Sequence, residues 1–265
     1  MRSAAAPVME VRGLGPRSSE DQLAVEAPLE LRVRAGGAER ALCITMRTPG
    51  EDAELAAGFL FTEGLVRERE EILGITEGED TVVVELKGAL PETAARPFAV
   101  TSACGVCGKG QLEELRARPA GPPSPGVPRL RPAAIHRLPD ELRAAQAGFA
   151  TTGGLHAAGL FDEQGKLLLV REDVGRHNAL DKLIGARFLA GALPAGAAVL
   201  VVSGRASFEL VQKALMARIP VLAAVGAPST LAVSLAQEGG MTLLGFVRDQ
   251  RFNVYCGPER LDLAG

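Results

Sequence analysis

The chain has no tryptophan, one tyrosine and only 4% aromatic residues. Proteins that grip single-stranded nucleic acid stack bases on aromatic rings, so no such platform is expected. A basic excess is also missing. The 29 Lys and Arg residues face 32 Asp and Glu, for a net charge of −3. Phosphate-backbone binding needs a positive footprint, so nucleic acid is not an expected partner. No apolar run approaches the roughly 18 residues of a membrane span. The opening MRSAAAPVMEVRGL lacks both a sustained apolar core and a convincing cleavage site, which are the marks of a secretory signal. The expectation is a cytoplasmic protein with no membrane partner. Cysteine is scarce too, with four in 265 residues, too few for a disulfide framework.

Apolar residues make up 47% of the chain and charged residues 23%, the balance of a folded domain. The length fits one large or two ordinary domains. The clearest break is Pro119–Pro128, with five prolines and two glycines. Proline lacks an amide donor and fixes its own φ, so this stretch is neither an interior helix nor a central strand. The expected organisation is a poorly structured 1–22, an N-terminal α+β domain over 23–117, a Pro-rich linker over 118–131 and an α/β domain over 132–265.

In the first half, Val25–Val33 and Ala41–Met46 alternate like strands, and Thr81–Leu86 is another. Thr48, Pro49 and Glu51 read as a capping box opening a helix, with Leu55, Phe59 and Leu60 on its apolar face and Gly64 as its stop. Gln111–Arg116 fits a short helix. In the second half, a helical Ala133–Ala147 precedes a hairpin of Gly154–Phe161 and Lys166–Val170. Helices from about His177, Phe208 and Pro228 then alternate with strands at Ala197–Val202, Val221–Val225 and Met241–Val247, and Phe252–Tyr255 closes the sheet. That order implies helices on a mostly parallel sheet with right-handed crossovers.

The sharpest chemical signal is Cys104-Gly-Val-Cys107, inside a run of small residues from Thr101 to Gly110. Small neighbours expose sulfur, and Lys109 with the amides of a following helix would favour a thiolate. A thiolate is the nucleophile that accepts a sulfur atom or opens a disulfide. A zinc site would need two further ligands from Cys43, Cys256, His136, His156 and His177, and none is suitably spaced, so no bound metal is expected. Cys43 and Cys256 read as small buried hydrophobes.

Open α/β sheets place ligands at strand C-terminal ends. Arg171 to Asn178, containing Arg176 and His177, is one such loop, and His156 follows a Thr-Thr-Gly-Gly-Leu run. Capping and ion pairing at the helix start explain the first loop equally well. Ser203-Gly204-Arg205 is a second turn and Gly226–Thr230 a third. Helix amides and a guanidinium suit a phosphate. Arg248 and Arg251 either meet a phosphate or form surface ion pairs.

Taken together, these segments resemble the FdhD family, accessory sulfurtransferases of formate dehydrogenase. The resemblance is carried by Arg47–Gly50, Glu54–Gly64, the Ser-Ala-Cys-Gly-Val-Cys-Gly run, Thr152–His156, Asp173–Lys182, Ser203–Arg205, Gly245–Arg248 and Asn253–Tyr255. It implies that the protein takes persulfide sulfur from a cysteine desulfurase. It further implies delivery to a molybdenum or tungsten bis(molybdopterin guanine dinucleotide) cofactor bound for formate dehydrogenase. By the same resemblance Cys104 is the persulfide carrier and Cys107 supports it. Phe246, Val247, Arg248, Asp249, Gln250 and Arg251 form the cofactor-binding segment, with His156, Arg176, His177, Ser203, Gly204 and Arg205 as further candidates beside it. The resemblance also implies a cytidine-deaminase-like sheet domain beside the smaller N-terminal domain, and a homodimer. Two other functions use the same residues: a thiol–disulfide oxidoreductase built on Cys104 and Cys107, and a non-catalytic cofactor-binding chaperone. A zinc deaminase is excluded, because H-x-E and P-C-x-x-C are both missing.

Overall fold

In the computed structural model, residues 2–13, 15–88, 98–99, 122–123 and 126–263 are described. The first segment departs from expectation. β1 (Ser3–Arg12) and β2 (Gly15–Ala24) pair in unbroken antiparallel register, from Ser3 opposite Ala24 to Arg12 opposite Gly15. Most of this hairpin is exposed, so no buried face imposes a hydrophobic alternation that could be read from the sequence. Its base is tied down. Val25 N donates to Arg2 O at 2.9 Å, and the Arg2 guanidinium pairs with Glu51.

β3 (Ala27–Ala35) buries Leu29, Leu31, Val33 and Ala35 at every second position, as a strand with one covered face must. It turns through Gly36 and Gly37, both at positive φ, into β4 (Ala38–Arg47). After α1 (Asp52–Thr62) come β5 (Ile72–Glu77), β6 (Thr81–Leu86) and β7 (Phe98–Ala99). The five strands run in the order β5-β6-β3-β4-β7.

The capping box expected at Thr48 does not form. Glu51 caps α1 from a left-handed conformation, φ 54°, without a side-chain cap of its own, and the Ala53 amide donates instead to Glu77 Oε1 at 2.9 Å. Thr48 is instead bound to the other half of the chain. Its amide donates to Asp173 Oδ2 at 3.1 Å, its hydroxyl accepts from Val174 N at 3.2 Å, and its carbonyl accepts from Lys182 Nζ at 2.8 Å. A tertiary set of partners thus displaces the local cap.

The second half comprises α2 (Pro132–Ala145), α3 (Ala147–Thr152), β8 (His156–Phe161), β9 (Leu167–Asp173) and α4 (Arg176–Leu189). It continues through β10 (Val199–Val202), α5 (Phe208–Met216), β11 (Val221–Ala224) and α6 (Thr230–Glu238) to the hairpin β12 (Thr242–Arg248) and β13 (Arg251–Cys256). The sheet order is β13-β12-β11-β10-β8-β9. Only β10–β11 and β11–β12 are parallel, so the sheet is mixed rather than mostly parallel. The tight turns joining β8 to β9 and β12 to β13 allow only antiparallel neighbours, and these hairpins flank the parallel centre.

β10 shows why its apolar run is continuous. Leu200 and Val202 face one buried cluster, shared with α1, α4, α5 and the five-stranded sheet. Val199 and Val201 face a second cluster, which α2 covers with Ile135, Leu138 and Leu142. Both faces are covered, so neither carries polar residues. The first cluster crosses from the N-terminal to the C-terminal half without interruption.

The two halves meet where α1 crosses α4. A Cβ on Gly58 would lie 1.9 Å from Asp181 O, and one on Gly185 would lie 1.8 Å from Glu54 O. Only hydrogen fits at either point, and the two backbones touch. Among the described residues no helix is long and apolar enough to cross a membrane.

Candidate functional site

The strand directions bring distant segments to one edge of the six-stranded sheet. β10, β11 and β12 end there, β8 begins there at His156, and β9 ends there opposite it at Asp173. The turns that follow are laced by backbone hydrogen bonds. Ser203 N donates to Ala157 O, Gly226 N to Gly204 O and Phe246 N to Gly226 O, at 3.0, 2.9 and 3.0 Å. Ser203 Oγ returns a bond by accepting from Ala157 N at 2.9 Å. A Cβ on Gly226 would lie 3.2 Å from Arg205 Cα and N, so any larger residue would have to push the two turns apart by a few tenths of an ångström. His156, Ser203, Gly204, Arg205 and Phe246 therefore belong to one rim.

The loop from Arg171 to Asn178 divides into two groups. Four of its polar residues are fully engaged in holding the fold. Arg171 pairs with Glu54 of α1 through both Nε and Nη2. Glu172 accepts from the amides of Gly148 and Phe149 at 2.8 Å each, closing the start of α3. Asp173, wholly buried, accepts from Gly175 N, Asn178 Nδ2, Thr48 N and Lys182 Nζ. Asn178 also donates to Met46 O at 2.8 Å. Here the capping and ion-pairing explanation prevails.

Arg176 and His177 remain for the site. Arg176 Nε is buried and has no hydrogen-bond partner among the described residues. His177 Nε2 lies 3.4 Å from Ser207 Oγ and 3.8 Å from Glu209 Oε2. The neighbouring His177 is the largest influence holding the Glu209 carboxyl down to about 2, against the opposing effect of burial. Burial, and then the charge of Arg176, pushes the His156 imidazole below its ordinary value and favours its neutral form. The rim thus combines an imidazole whose charged form is disfavoured, a guanidinium with an unpartnered buried Nε, and a histidine beside a carboxyl group. Ser207 and Glu209 escaped the sequence reading, because they sit in an ordinary helix start with nothing local to mark a partner 30 residues earlier.

At the far end of the rim the β12–β13 turn presents Phe246, Arg248, Asp249, Gln250 and Arg251, while Val247 points into the core. Phe246 has φ 52°, rare for an aromatic residue and a local strain. Asp249 and Gln250 have φ 52° and 58°, the left-handed pair that a tight hairpin turn needs. The guanidinium carbons of Arg248 and Arg251 lie 5.6 and 6.0 Å from the Phe246 ring centroid. Arg248 also approaches Asp249 at 3.7 Å, with both side chains largely in solvent, so that pair contributes little. Two exposed guanidinium groups beside a raised aromatic ring can face phosphates and a stacked ring together.

A cavity of about 500 Å3 opens at the other end of this rim, between α2–α3 and the sheet edge. His156, Ser203, Arg143, Gln146 and Phe149 are among the residues lining it. The last three went unnoticed in the sequence, where a helical region was expected around Ala133–Ala147 and nothing local marks these side chains as lining a cavity.

Cys104, Cys107, Lys109 and the expected helix at Gln111–Arg116 lie outside the described residues. Cys43 is buried and its thiol is pushed up to about 12, by burial first and by Glu63 and Asp181 next. Cys256 is partly buried, its thiol also raised by burial, and its Sγ meets Met241 O at 3.2 Å. Neither has the character of an attacking thiolate.

Comparison with known proteins places this arrangement. The chain is 50% identical to a protein named sulfur carrier protein FdhD from Streptomyces avermitilis, over 97% of this chain and 94% of that one. A protein of the same name from Sulfolobus acidocaldarius is 43% identical over 93% of each chain. The fold matches the crystal structure of a candidate formate dehydrogenase accessory protein from Desulfotalea psychrophila. The TM-score is 0.81 at 26% identity, over 98% of this chain and 100% of that one. The model of the FdhD/NarQ family matches residues 24–262, which takes in the five-stranded and six-stranded sheets and the whole rim, and the chain belongs to that family.

Proposed function

We propose that this protein is a cytoplasmic sulfur carrier that serves formate dehydrogenase. Cys104 takes a persulfide sulfur from a cysteine desulfurase and delivers it to a molybdenum or tungsten bis(molybdopterin guanine dinucleotide), with Cys107 in support. In the first step the Cys104 thiolate attacks the outer sulfur of the donor persulfide. A new S–S bond forms on Cys104 as the donor's S–S bond breaks, and the donor cysteine leaves as thiolate. The dinucleotide is the substrate that receives the sulfur. Phe246 to Arg251 hold one part of it, and His156, Arg176, His177 and Ser203–Arg205 lie along its path. The working unit is a homodimer.

The observation that carries this reading is the convergence on one sheet edge. Residues from four separate segments of the chain meet there, bring unpaired positive charge and hydrogen-bond donors, and leave the buried Cys43 and the partly buried Cys256 out of the chemistry. Membership of the family supports the sulfur-carrying part, as do relatives that bear the name sulfur carrier protein.

Incubation with a cysteine desulfurase and cysteine, followed by mass spectrometry, is expected to add about 32 Da to Cys104, one sulfur on one thiolate. Cys104→Ala is expected to abolish activation of formate dehydrogenase while leaving guanine-dinucleotide binding in place. A Cys104→Ala protein that still activates the dehydrogenase would refute the carrier role and leave a chaperone.

A further inference from the structure

Among the described residues, all sheet edges but one are spoilt for further pairing. β5, β9 and β13 each break register, at Leu73, at Leu168 and at Tyr255. An extra residue bends a strand and interrupts its regular pairing. β7 has only two residues, and β1 carries Pro7 at its middle. β2 is the exception. It has ten residues in unbroken register and is exposed from Gly15 to Asp21.

Two prolines fix which groups β2 offers. Proline has no amide hydrogen, so in an unbroken ladder its nitrogen faces away from the paired strand. Pro7 lies opposite Glu20, and Pro16 opposite Val11. Opposed pairs in an antiparallel ladder alternate between bonded and non-bonded, and both proline pairs fall in the non-bonded set. Ser18, Glu20 and Gln22 share that set. Their backbone groups therefore point out of the free edge of the hairpin. A two-stranded hairpin in water is marginal by itself and gains from further strands.

We propose that the occupant of this edge is β2 of a second copy, antiparallel about a two-fold axis at Ser19, in a four-stranded sheet β1-β2-β2-β1. Charge selects this register. With Ser19 opposite its own copy, Arg17 stands opposite Asp21 of the second copy, and the two-fold repeats the pair. Ser18 exchanges both backbone hydrogen bonds with Glu20 of the second copy. Moving the axis to Ser18 or Glu20 sets Arg17 against Ser19 or Leu23 and loses both ion pairs. Within its own chain Arg17 stands 3.9 Å from Glu10, which Arg12 already holds at 2.6 Å, so its guanidinium keeps capacity for a second carboxylate. This inference rests on the proposed homodimer and supplies its interface, in residues that precede the span 24–262 matched by the family model.

The test is sedimentation equilibrium of the full chain at micromolar concentration, expected to give twice the mass of one chain. Glu20→Pro removes an outward amide without touching the β1 ladder and is expected to give a monomer. Arg17→Asp is expected to do the same, and the exchange Arg17→Asp with Asp21→Arg to restore the dimer. In a chain also carrying Cys104→Ala and Cys107→Ala, Ser19→Cys with oxidised glutathione is expected to give an inter-chain disulfide on a non-reducing gel. A non-bonded pair sets its Cα atoms about 4.5 Å apart, within disulfide reach. Ser18→Cys, facing Glu20 instead of itself, is expected to stay uncrosslinked. Far-ultraviolet circular dichroism checks the folding of each variant, and the charge exchange decides the matter if Glu20→Pro disturbs the hairpin. A dimer that survives both Glu20→Pro and Arg17→Asp overturns the β2 interface and leaves the homodimer to another surface. A monomeric wild-type chain overturns both.

Discussion

Glu209 links a single ionisation to the state of the rim. Its carboxyl is held down to about 2, chiefly by the neighbouring His177. The unfolded chain takes up this proton near the ordinary value of 4.5, before the folded chain does. The stabilisation is therefore complete above about pH 4.5 and is lost as pH falls toward about 2. Urea unfolding between these limits should show stability falling with acid, and Glu209→Gln should remove that part of the slope. An unchanged slope in Glu209→Gln would place the acid sensitivity elsewhere. Lys213 is a second case in which charge outweighs burial. Burial alone would lower its ammonium, but Asp181 at 2.9 Å and Glu63 at 3.5 Å raise it, and it stays charged inside the core.

At the scale of elements the crossing of α1 and α4 is the tightest constraint. Gly58→Ala or Gly185→Ala drives a methyl group into a carbonyl less than 2 Å away. The backbones must separate, so each substitution is expected to cost about 3 kcal/mol, measured as a lowered urea midpoint. Gly196 is the control. Nothing lies within 4 Å of its would-be Cβ and its φ is not positive, so Gly196→Ala should be neutral or slightly stabilising. Equal effects at all three positions would contradict the contact. The span of α1 was legible in its apolar face and in Gly64, but its start was not. A T-x-x-E pattern has the same letters whether Thr48 caps a helix or binds Asp173 across the molecule. The strands of the second half were readable because both faces of β10 and β11 are buried. The hairpin of β1 and β2 was not, because its pairing is almost wholly backbone and leaves no pattern in the side chains.

For the whole molecule, the buried cluster shared by both halves predicts a single unfolding unit. Asp173 and Lys182 reinforce it from the interior, where one carboxylate takes bonds from both halves. Urea unfolding followed by far-ultraviolet circular dichroism and by Tyr255 fluorescence should give coincident transitions. Asp173→Ala takes the nearest carboxylate from the buried Lys182, leaving it Thr48 O and the more distant Glu51, and should lower both together by about 3 kcal/mol. Two separated transitions would show halves that fold apart. The rim itself was only half legible. The turns after β10, β11 and β12 announced themselves by small residues and arginines, but the sequence could not say that hydrogen bonds from Phe246 N to Gly226 O and from Gly226 N to Gly204 O would seat them side by side. Nor could it separate Arg171 and Asp173, which hold the fold, from Arg176, which does not.

The strand directions that gather the rim also empty the opposite end of the sheet. The β8–β9 turn, with Glu163 and Gln164 exposed, and the loops entering β10, β11 and β12 lie there. That end offers a handle. A dye, a tether or a solid support attached at position 164 through a chemistry that spares thiols would leave the rim turned toward solution, so its exchange with a ligand could be watched one molecule at a time.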